Sequence, residues 1–574
     1  MTSLARTATI PLLAVLGACT NDAPPAAATV AAPEALRAHN AEFERGVTKV
    51  ADGVFVAIGF GIANTILLEG DDGVIIVDTM ETAESAQAVF AEFRKLTDKP
   101  VKALIYTHSH PDHIGGARVF AEGNDAIAVY AHRDVIRNME KTSIELQTAI
   151  TRRSMRMYGS LLPEDERINV GLGPFVDVRE GSTISVLRPT HPFDDRLEAT
   201  VAGIRFELVH APGETDDQIF VWLPDRRILL PGDNVYKAFP NLYTIRGTSY
   251  RDPRRWADSI DAMRALKAEI LVPSHTQPIV GAQRIDEVLT SYRDGIRYVY
   301  DQTLRYINQG LTPDEIAARI KLPPHLASAP YLQEFYGKPT WSARGVFAGN
   351  LGWYDGNPST LQPLAPRDEA ERMARLAGGL DALAERVIEA QAAGDQQWAL
   401  QLSDHVLRLQ PDHAGVRKAR IKALRALGER EANPNARNWY LMAARELSGE
   451  FELPDRILTP TPAMLAQMPL ARFFDGMAVN LDAEAAVDTT MAVGFEFTDV
   501  EERYTYIVRR GASEVVPELR EDADIVVRVS AQAFKEMLAR LRHPAVSLVR
   551  DFEVTKGSRL GFAQFMRLFQ PQEA

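Results

Sequence analysis

Between about residue 40 and residue 290, short aliphatic and β-branched runs alternate with stretches of helical periodicity. Val54–Ile58, Thr65–Leu68, Val74–Val77, Ala103–Tyr106 and Ala126–Tyr130 are compact, apolar and bounded by Gly, Asp or Pro, which predicts strands. Ala83–Leu96 places apolar residues at helical spacing between two of them. This alternation predicts an α/β or α+β domain with two sheets possible.

The pattern then changes twice. From about 291 to 450 strand signals nearly vanish. Ile285–Asn308, Pro313–Ile320, Asp368–Ala392, Trp398–Arg408 and Gly415–Leu427 are apolar at helical spacing, with Pro411 and Pro434 as breaks. One helix pair resembles a tetratricopeptide unit, but a stable array needs about three repeats, so an all-α domain is expected instead. After Pro454, Pro460 and Pro462, strand-like Arg503–Val508 and Ile525–Val529 mix with helical Gln532–Leu541 and Phe562–Leu568. That predicts a small α+β module over 455–574.

Residues 1–19 read as an export signal: Arg6, then the apolar run from Ile10 to Leu16. The run is shorter than the about 20 residues a membrane span needs. Leu16-Gly17-Ala18-Cys19 resembles a lipoprotein box, so Cys19 is the expected site of lipidation, with the protein exported to the cell envelope or periplasm and held by a lipid anchor. Residues 20–39, rich in Ala and Pro, read as a flexible tether.

Composition narrows the function classes. At about 150 residues per domain, 574 residues suggest three or four domains. Hydrophobic residues at 46% and charged residues at 25% exclude a mostly disordered chain. A net charge of −13 argues against nucleic acid as a partner. The single cysteine excludes a disulfide framework and a cysteine-based metal cluster.

The chemistry concentrates after the strand Ala103–Tyr106. His108-Ser109-His110-Pro111-Asp112-His113 places three imidazoles and a carboxylate within six residues. These are ligand types zinc accepts, on a loop following a strand, where rigid scaffolds place functional groups. Gly115-Gly116 then lets the backbone turn closely into a helix.

This motif resembles that of the metallo-β-lactamase superfamily. Asn241-Leu242-Tyr243-Thr244-Ile245-Arg246-Gly247 with Asp252-Pro253 resembles the SDS-hydrolysing alkylsulfatases within it. Asp301–Leu304, Asn308-Gln309-Gly310, Lys321–Pro324 and Leu351–Pro358 resemble their dimerisation domain, and the tail resembles a sterol-carrier-protein-2-like module. The resemblance covers about 40–574. It implies an αββα metallo-β-lactamase sandwich over 40–290, an all-α dimerisation domain over 291–450, a sterol-carrier-like domain over 455–574, and a homodimer.

It also implies two zinc ions per subunit. His108, His110 and Glu214 would hold one, Asp112, His113 and His275 the other, and Asp233 would bridge them. The family places glutamate at the bridging position, where this chain has Asp233, and its run around the glutamate ligand differs from Gly213–Gln218 here. Three carboxylates, two dications and a bridging hydroxide sum to about zero charge, so an anionic ester needs a separate cation. Arg246 matches the family's sulfate-binding arginine, and guanidinium suits oxyanions. Asn241 can donate beside it, and Tyr243 or Lys237 can add a contact.

The implied activity is that of a sulfuric ester hydrolase: alkyl sulfates cleaved to alcohol and sulfate by a hydroxide held on the dinuclear zinc. Asp112, Asp233 and Arg246 are the residues on which catalysis would turn, and Tyr250 is a candidate general acid. Two other classes are consistent with parts of the chain. One is a different hydrolase of the same fold acting on a phosphate ester, lactone or amide. The other is a non-catalytic lipid binder built on the tail, whose Phe495, Phe497, Phe534 and Phe565 could line a cavity or simply form a core. Among other residues, His132 reads as structural, His210 as a strand-end residue or a support behind the ligands, Asp78 as such a support, Arg152, Arg153 and Arg156 as a solvated basic face, and Trp353 and Tyr354 as core rather than contacts to substrate or partner.

Overall fold

The structure is a computed structural model describing residues 32–569. The expected export signal and Cys19 lie outside the described residues, but the tether expected over 20–39 ends in packed structure: Glu34–Ala38 is helical, and Leu36 and His39 are buried.

Two sheets stack face to face. The first orders its strands Gly46–Ala51, Val54–Ile58, Thr65–Glu69, Val74–Val77, Val101–Ile105, Ala128–His132 and His191–Phe193. It is antiparallel up to Val74–Val77 and parallel beyond. The second orders Ile279–Val280, Ile270–Leu271, Ile228–Leu230, Ile219–Leu223, Ile204–His210 and Arg196–Val201. Period-2 alternation decides which residues fill the space between the sheets. Val54, Val56, Ile58, Ile75 and Val77 face Phe206, Leu208, Val221 and Leu230 across a common core.

The residues in between point outward, and they are apolar too because helices cover both outer faces. Leu67, Ile76 and Leu104 pack with Ala86, Val89 and Phe93 of the helix Ala83–Phe93. Phe220, Trp222 and Leu229 pack with Trp256 and Ile260 of Pro253–Ala265 and with Ile285, Leu289 and Tyr292 of Ala282–Asn308. The result is the expected αββα sandwich.

The helix Ala282–Asn308 runs unbroken across the boundary expected at 290–291. Its amphipathic stripe serves the sandwich first and the helical domain afterwards, so the vanishing of strand signals does not coincide with a domain edge. The expected single helix Asp368–Ala392 is two, Pro366–Leu376 and Leu380–Ala392, because Gly378 and Gly379 both adopt positive φ. The helices from Leu380 to Ser448 then follow one another with each packed on the next. Trp353, expected in the core, is 74% exposed.

The C-terminal module is a five-stranded sheet, in the order 512–516, 503–509, 490–497, 525–529 and 553–556, with helices on it. It is joined to the sandwich. Leu458–Pro460 pairs in parallel with Ser182–Ile184, and Phe474, Phe495 and Phe534 belong to the same continuous core as Ile76 and Phe120. Glu140, buried at the junction, accepts from Arg188 and Arg472. Phe495, Phe497 and Phe534 pack on one another and on Phe474, with ring centroids 5.2–6.5 Å apart. Phe565 packs on Tyr506 and Phe569. Among the described residues no helix is long and apolar enough to cross a membrane.

Candidate metal centre

The His108–His113 segment leaves the sheet at the C-terminal end of Val101–Ile105, with His110 preceding the one-turn helix Pro111–Ile114. Pro111 at the first helical position fixes the entry angle. Gly115 and Gly116 follow with negative φ, so backbone handedness is not what demands glycine. Close approach is: a Cβ at Gly115 would lie 2.1 Å from the Glu81 carbonyl oxygen, and one at Gly116 2.6 Å from that of Thr79.

Three further turns converge on this loop. Glu214 follows Ile204–His210 through Gly213, where a Cβ would sit 1.9 Å from Asn234 Oδ1. Asp233 lies in the single 3-10 turn Gly232–Asn234 after Ile228–Leu230. His275 follows Ile270–Leu271, and its Nδ1 lies 2.7 Å from the Ile62 carbonyl oxygen.

Asp233 Oδ2 stands 3.1 Å from His275 Nε2, 3.5 Å from His113 Nε2 and 3.7 Å from His108 Nε2. Asp112 Oδ2 stands 3.2 Å from His113 Nε2 and 3.6 Å from His275 Nε2. Three overlapping trios bring one donor atom per residue within 4.8 Å of each other: His108, His113 and Asp233; Asp112, His113 and His275; His110, Glu214 and Asp233. All seven residues expected as ligands fall in this set.

The donor set suits a divalent metal. It is all imidazole nitrogen and carboxylate oxygen, the chemistry zinc accepts. Buried His113 Nε2 and Asp233 Oδ1 lack hydrogen-bond partners. Burial holds the His108 and His110 imidazoles well below their usual range, which keeps them neutral. At His113 burial acts downward too, but Asp233, Asp112 and Asp78 outweigh it and raise the imidazole. Burial raises the carboxyl groups of Asp112 and Asp233, yet the facing imidazoles, His113 first, bring both below the usual range.

A second layer orients the set. Asp78, at positive φ, accepts from Thr107 N at 2.9 Å, Thr107 Oγ1 at 3.0 Å and Ser274 Oγ at 2.7 Å, and faces His113 Nδ1 at 2.8 Å. Glu214 is held at both oxygens: Arg251 Nη1 at 2.9 Å from Oε1, and the Tyr236 hydroxyl donating to Oε2 at 3.0 Å. Burial raises the Glu214 carboxyl group, against the pull of Arg251. Buried Asp217 accepts from Ser109 Oγ at 3.1 Å and Asn138 Nδ2 at 3.0 Å, tying the histidine loop to the Glu214 turn.

Arg246 lies at the edge of the cluster, its Nη2 3.3 Å from His110 Nε2. The Tyr158 hydroxyl lies beside the same guanidinium and stands 3.1 Å from that of Tyr336. Asn241 is buried with its side-chain Nδ2 unpartnered, and Arg251 Nη2 is likewise buried and free. Tyr243 packs against Gly345 of the helix Pro339–Leu351. Lys237 pairs with Glu42 at 2.5 Å. Tyr250 lies against Gly349, its hydroxyl 3.4 Å from Asn350 Nδ2, and burial pushes it up to about 12, a poor pKa for a general acid.

The basic face expected to be solvated is paired: Arg152 with Asp455, Arg156 with Glu446, and Arg153 with backbone carbonyls beside Arg246. The His132 and His210 rings stack with their centroids 4.1 Å apart, and neither belongs to the three trios. Sequence reasoning missed Arg251, Tyr236, Tyr158, Tyr336, Asp217 and Glu81. Each is a common residue type with no motif of its own, and its partner is distant in sequence.

Comparison with known proteins agrees in extent. Residues 58–275 match the metallo-β-lactamase superfamily model, 312–450 the alkyl sulfatase dimerisation model and 458–574 the alkyl sulfatase C-terminal model. A linear primary-alkylsulfatase from a Pseudomonas species is 39% identical, over 78% of this chain and 88% of its own length. An alkyl/aryl-sulfatase of Saccharomyces cerevisiae is 30% identical, over 91% of this chain and 82% of its own. The solved structure of a stereoselective inverting sec-alkylsulfatase from Pseudomonas sp. superposes with TM-score 0.84 at 28% identity, over 92% of this chain and 85% of that one.

Proposed function

The chain belongs to the alkylsulfatase family of the metallo-β-lactamase superfamily, and on that premise we propose that it is a zinc-dependent hydrolase cleaving alkyl sulfates to alcohol and sulfate. The observation that carries this reading is the juxtaposition of seven metal-type side chains, five buried and His110 and Asp112 half-buried, with the Arg246 guanidinium, 3.3 Å from His110. A metal cluster alone fits many hydrolases. A guanidinium at its edge, beside free buried donors on Asn241 and Arg251, fits a tetrahedral oxyanion.

His108, His110 and Glu214 would hold one zinc ion, Asp112, His113 and His275 a second, with Asp233 between. When bound, the pair supplies Lewis acidity and makes a water acidic enough to lose a proton near neutral pH. The chain's own residues do the rest. Arg246 and Asn241 fix the sulfate head, and Tyr158 and Tyr336 stand beside Arg246. Charge that grows on the sulfate oxygens as the ester bond breaks is met by Arg246, which its surroundings hold fully protonated. Glu214, paired with Arg251 and Tyr236, is kept from turning toward Arg246 and neutralising it.

The test is sulfate release from a panel of alkyl and aryl sulfates, with metal content measured in parallel. The expected result is release from dodecyl sulfate that Arg246→Ala reduces without loss of metal. Bound metal without sulfate release would point instead to another ester or amide substrate, and absence of metal to a lipid binder.

Two further readings accompany this one. The match to the dimerisation model, together with exposed Trp353 and Leu376 in that region, supports a homodimer, which light scattering in solution tests. Leu16–Cys19 supports an exported protein lipidated at Cys19. Cys19→Ser should move it from the membrane fraction to the soluble fraction.

A further inference from the structure

Arg153 stands outside the metal cluster, yet its planar fork meets two successive carbonyl groups of the Arg246 loop. Nη2 donates to Ile245 O at 2.6 Å and Nε to Arg246 O at 2.8 Å. The guanidinium also lies over Trp439 of the helical domain, 5.4 Å from the ring centroid. Arg153 thus grips the main chain of Arg246 from one side and rests on a second domain from the other.

The rest of its helix, Gln147–Tyr158, follows the same loop residue by residue. Thr244 Oγ1 lies 3.3 Å from Met157 Sδ. Gly247, at φ +105, runs beside the helix, where a Cβ added to it would be in ordinary contact with Ile150 Cδ1 at 3.5 Å. Tyr158, the last residue of the helix, lies beside the Arg246 guanidinium. One helix therefore flanks Arg246 at both ends: Tyr158 stands beside its side chain, and Arg153 holds its backbone.

We propose that Arg153 is a positioning residue that sets where the Arg246 guanidinium meets the sulfate head group. The inference rests on the sulfate-binding reading of Arg246. Loop carbonyls that lose two charge-assisted donors turn to water, and the α-carbon of Arg246 moves with them. A misplacement of about 1 Å at a binding cation costs on the order of tenfold to a hundredfold in rate. A lysine supplies one ammonium in place of the two-pronged fork and restores part of the grip.

The experiment uses the full-length, metal-loaded chain with dodecyl sulfate, in a double-mutant cycle of Arg153→Met and Arg246→Ala. Metal content and the inhibition constant of inorganic sulfate are read alongside. Arg153→Met is expected to raise KM and the sulfate inhibition constant about tenfold with metal content unchanged, and Arg153→Lys to recover part of that. In the Arg246→Ala background the same change should shift KM less than about twofold. An equal shift in both backgrounds, or an unshifted KM in Arg153→Met while Arg246→Ala is impaired, overturns the proposal. If Arg153→Met does not fold, Arg153→Lys decides: a severalfold rise in KM supports the role and an unchanged KM overturns it. Should Arg246→Ala itself keep the unaltered KM, it is the sulfate-binding reading that fails.

Discussion

Asp78 Oδ2 lies 2.8 Å from His113 Nδ1, and the same oxygen accepts from Thr107 and Ser274. The carboxylate therefore selects the His113 tautomer whose Nε2 is left to face Asp112 and Asp233. Asp78→Asn would set an amide among donors and loosen the ring. Metal affinity or turnover should fall about tenfold to a hundredfold. Zinc titration with a competing chelator measures it. An Asp78→Asn protein with unaltered affinity and turnover would remove Asp78 from the site's support.

Removing metal should also destabilise the fold. Asp112, Asp233 and Glu214 are carboxylates packed together with little solvent, and a bound cation relieves their mutual repulsion. A ligand at a hundred times its dissociation constant adds about 2.7 kcal/mol to the folded state. The melting temperature should drop by several degrees on chelation and recover on adding zinc. A melting temperature indifferent to chelator would argue that no metal binds at these residues.

How much of this was legible in the sequence depends on range. Val54–Ile58 and Val74–Val77 are read residue for residue because apolar runs end sharply at Gly, Asp or Pro. Ala126–Tyr130 is found two residues later, at Ala128–His132, because the turn around Asn124 reaches further than its polarity suggests. The metal-type residues of His108–His113 share one loop and are visible as a local pattern. Glu214, Asp233 and His275 sit on three separate turns, and only resemblance joined them. Arg153 and Arg251 were not visible as functional at all: each acts on a loop or turn that folding alone brings near.

Glu81 gives a pH dependence. It is buried, its Oε1 accepts from Ile62 N and Asp177 N, and its Oε2 has no partner. Burial, aided by the Asp112 charge, pushes its carboxyl group up to about 7. Between the ordinary carboxyl range and pH 7 the folded chain keeps a proton that the unfolded chain has lost, so stability falls as pH rises through that window. Glu81→Gln removes the titration. In the metal-free chain it should be near neutral at pH 5 and stabilising by up to about 3 kcal/mol at pH 8. Denaturant midpoints at the two pH values measure the difference, and a variant equally stable relative to the parent at both would contradict it.

Arg251 and Tyr236 hold Glu214 unequally, which two substitutions can separate. Arg251 places Nη1 2.9 Å from Glu214 Oε1 and 2.6 Å from the Asn241 carbonyl oxygen, with both charged partners nearly fully buried. Truncation leaves the Glu214 charge without its counter-ion in a medium that solvates it poorly, and such a break costs about 3–5 kcal/mol. Tyr236 contributes one hydrogen bond to Oε2 and accepts another from Asn241 N at 2.8 Å. Tyr236→Phe keeps the packing and loses hydrogen bonds typically worth about 1 kcal/mol each. Urea unfolding of the metal-free chain should therefore rank Arg251→Met well below Tyr236→Phe in stability. Added zinc should narrow the gap, since a cation on Glu214 replaces part of what Arg251 supplied. Equal losses for the two variants, or a gap that zinc leaves untouched, would mean that Glu214 is neither ionised against Arg251 nor part of the metal set.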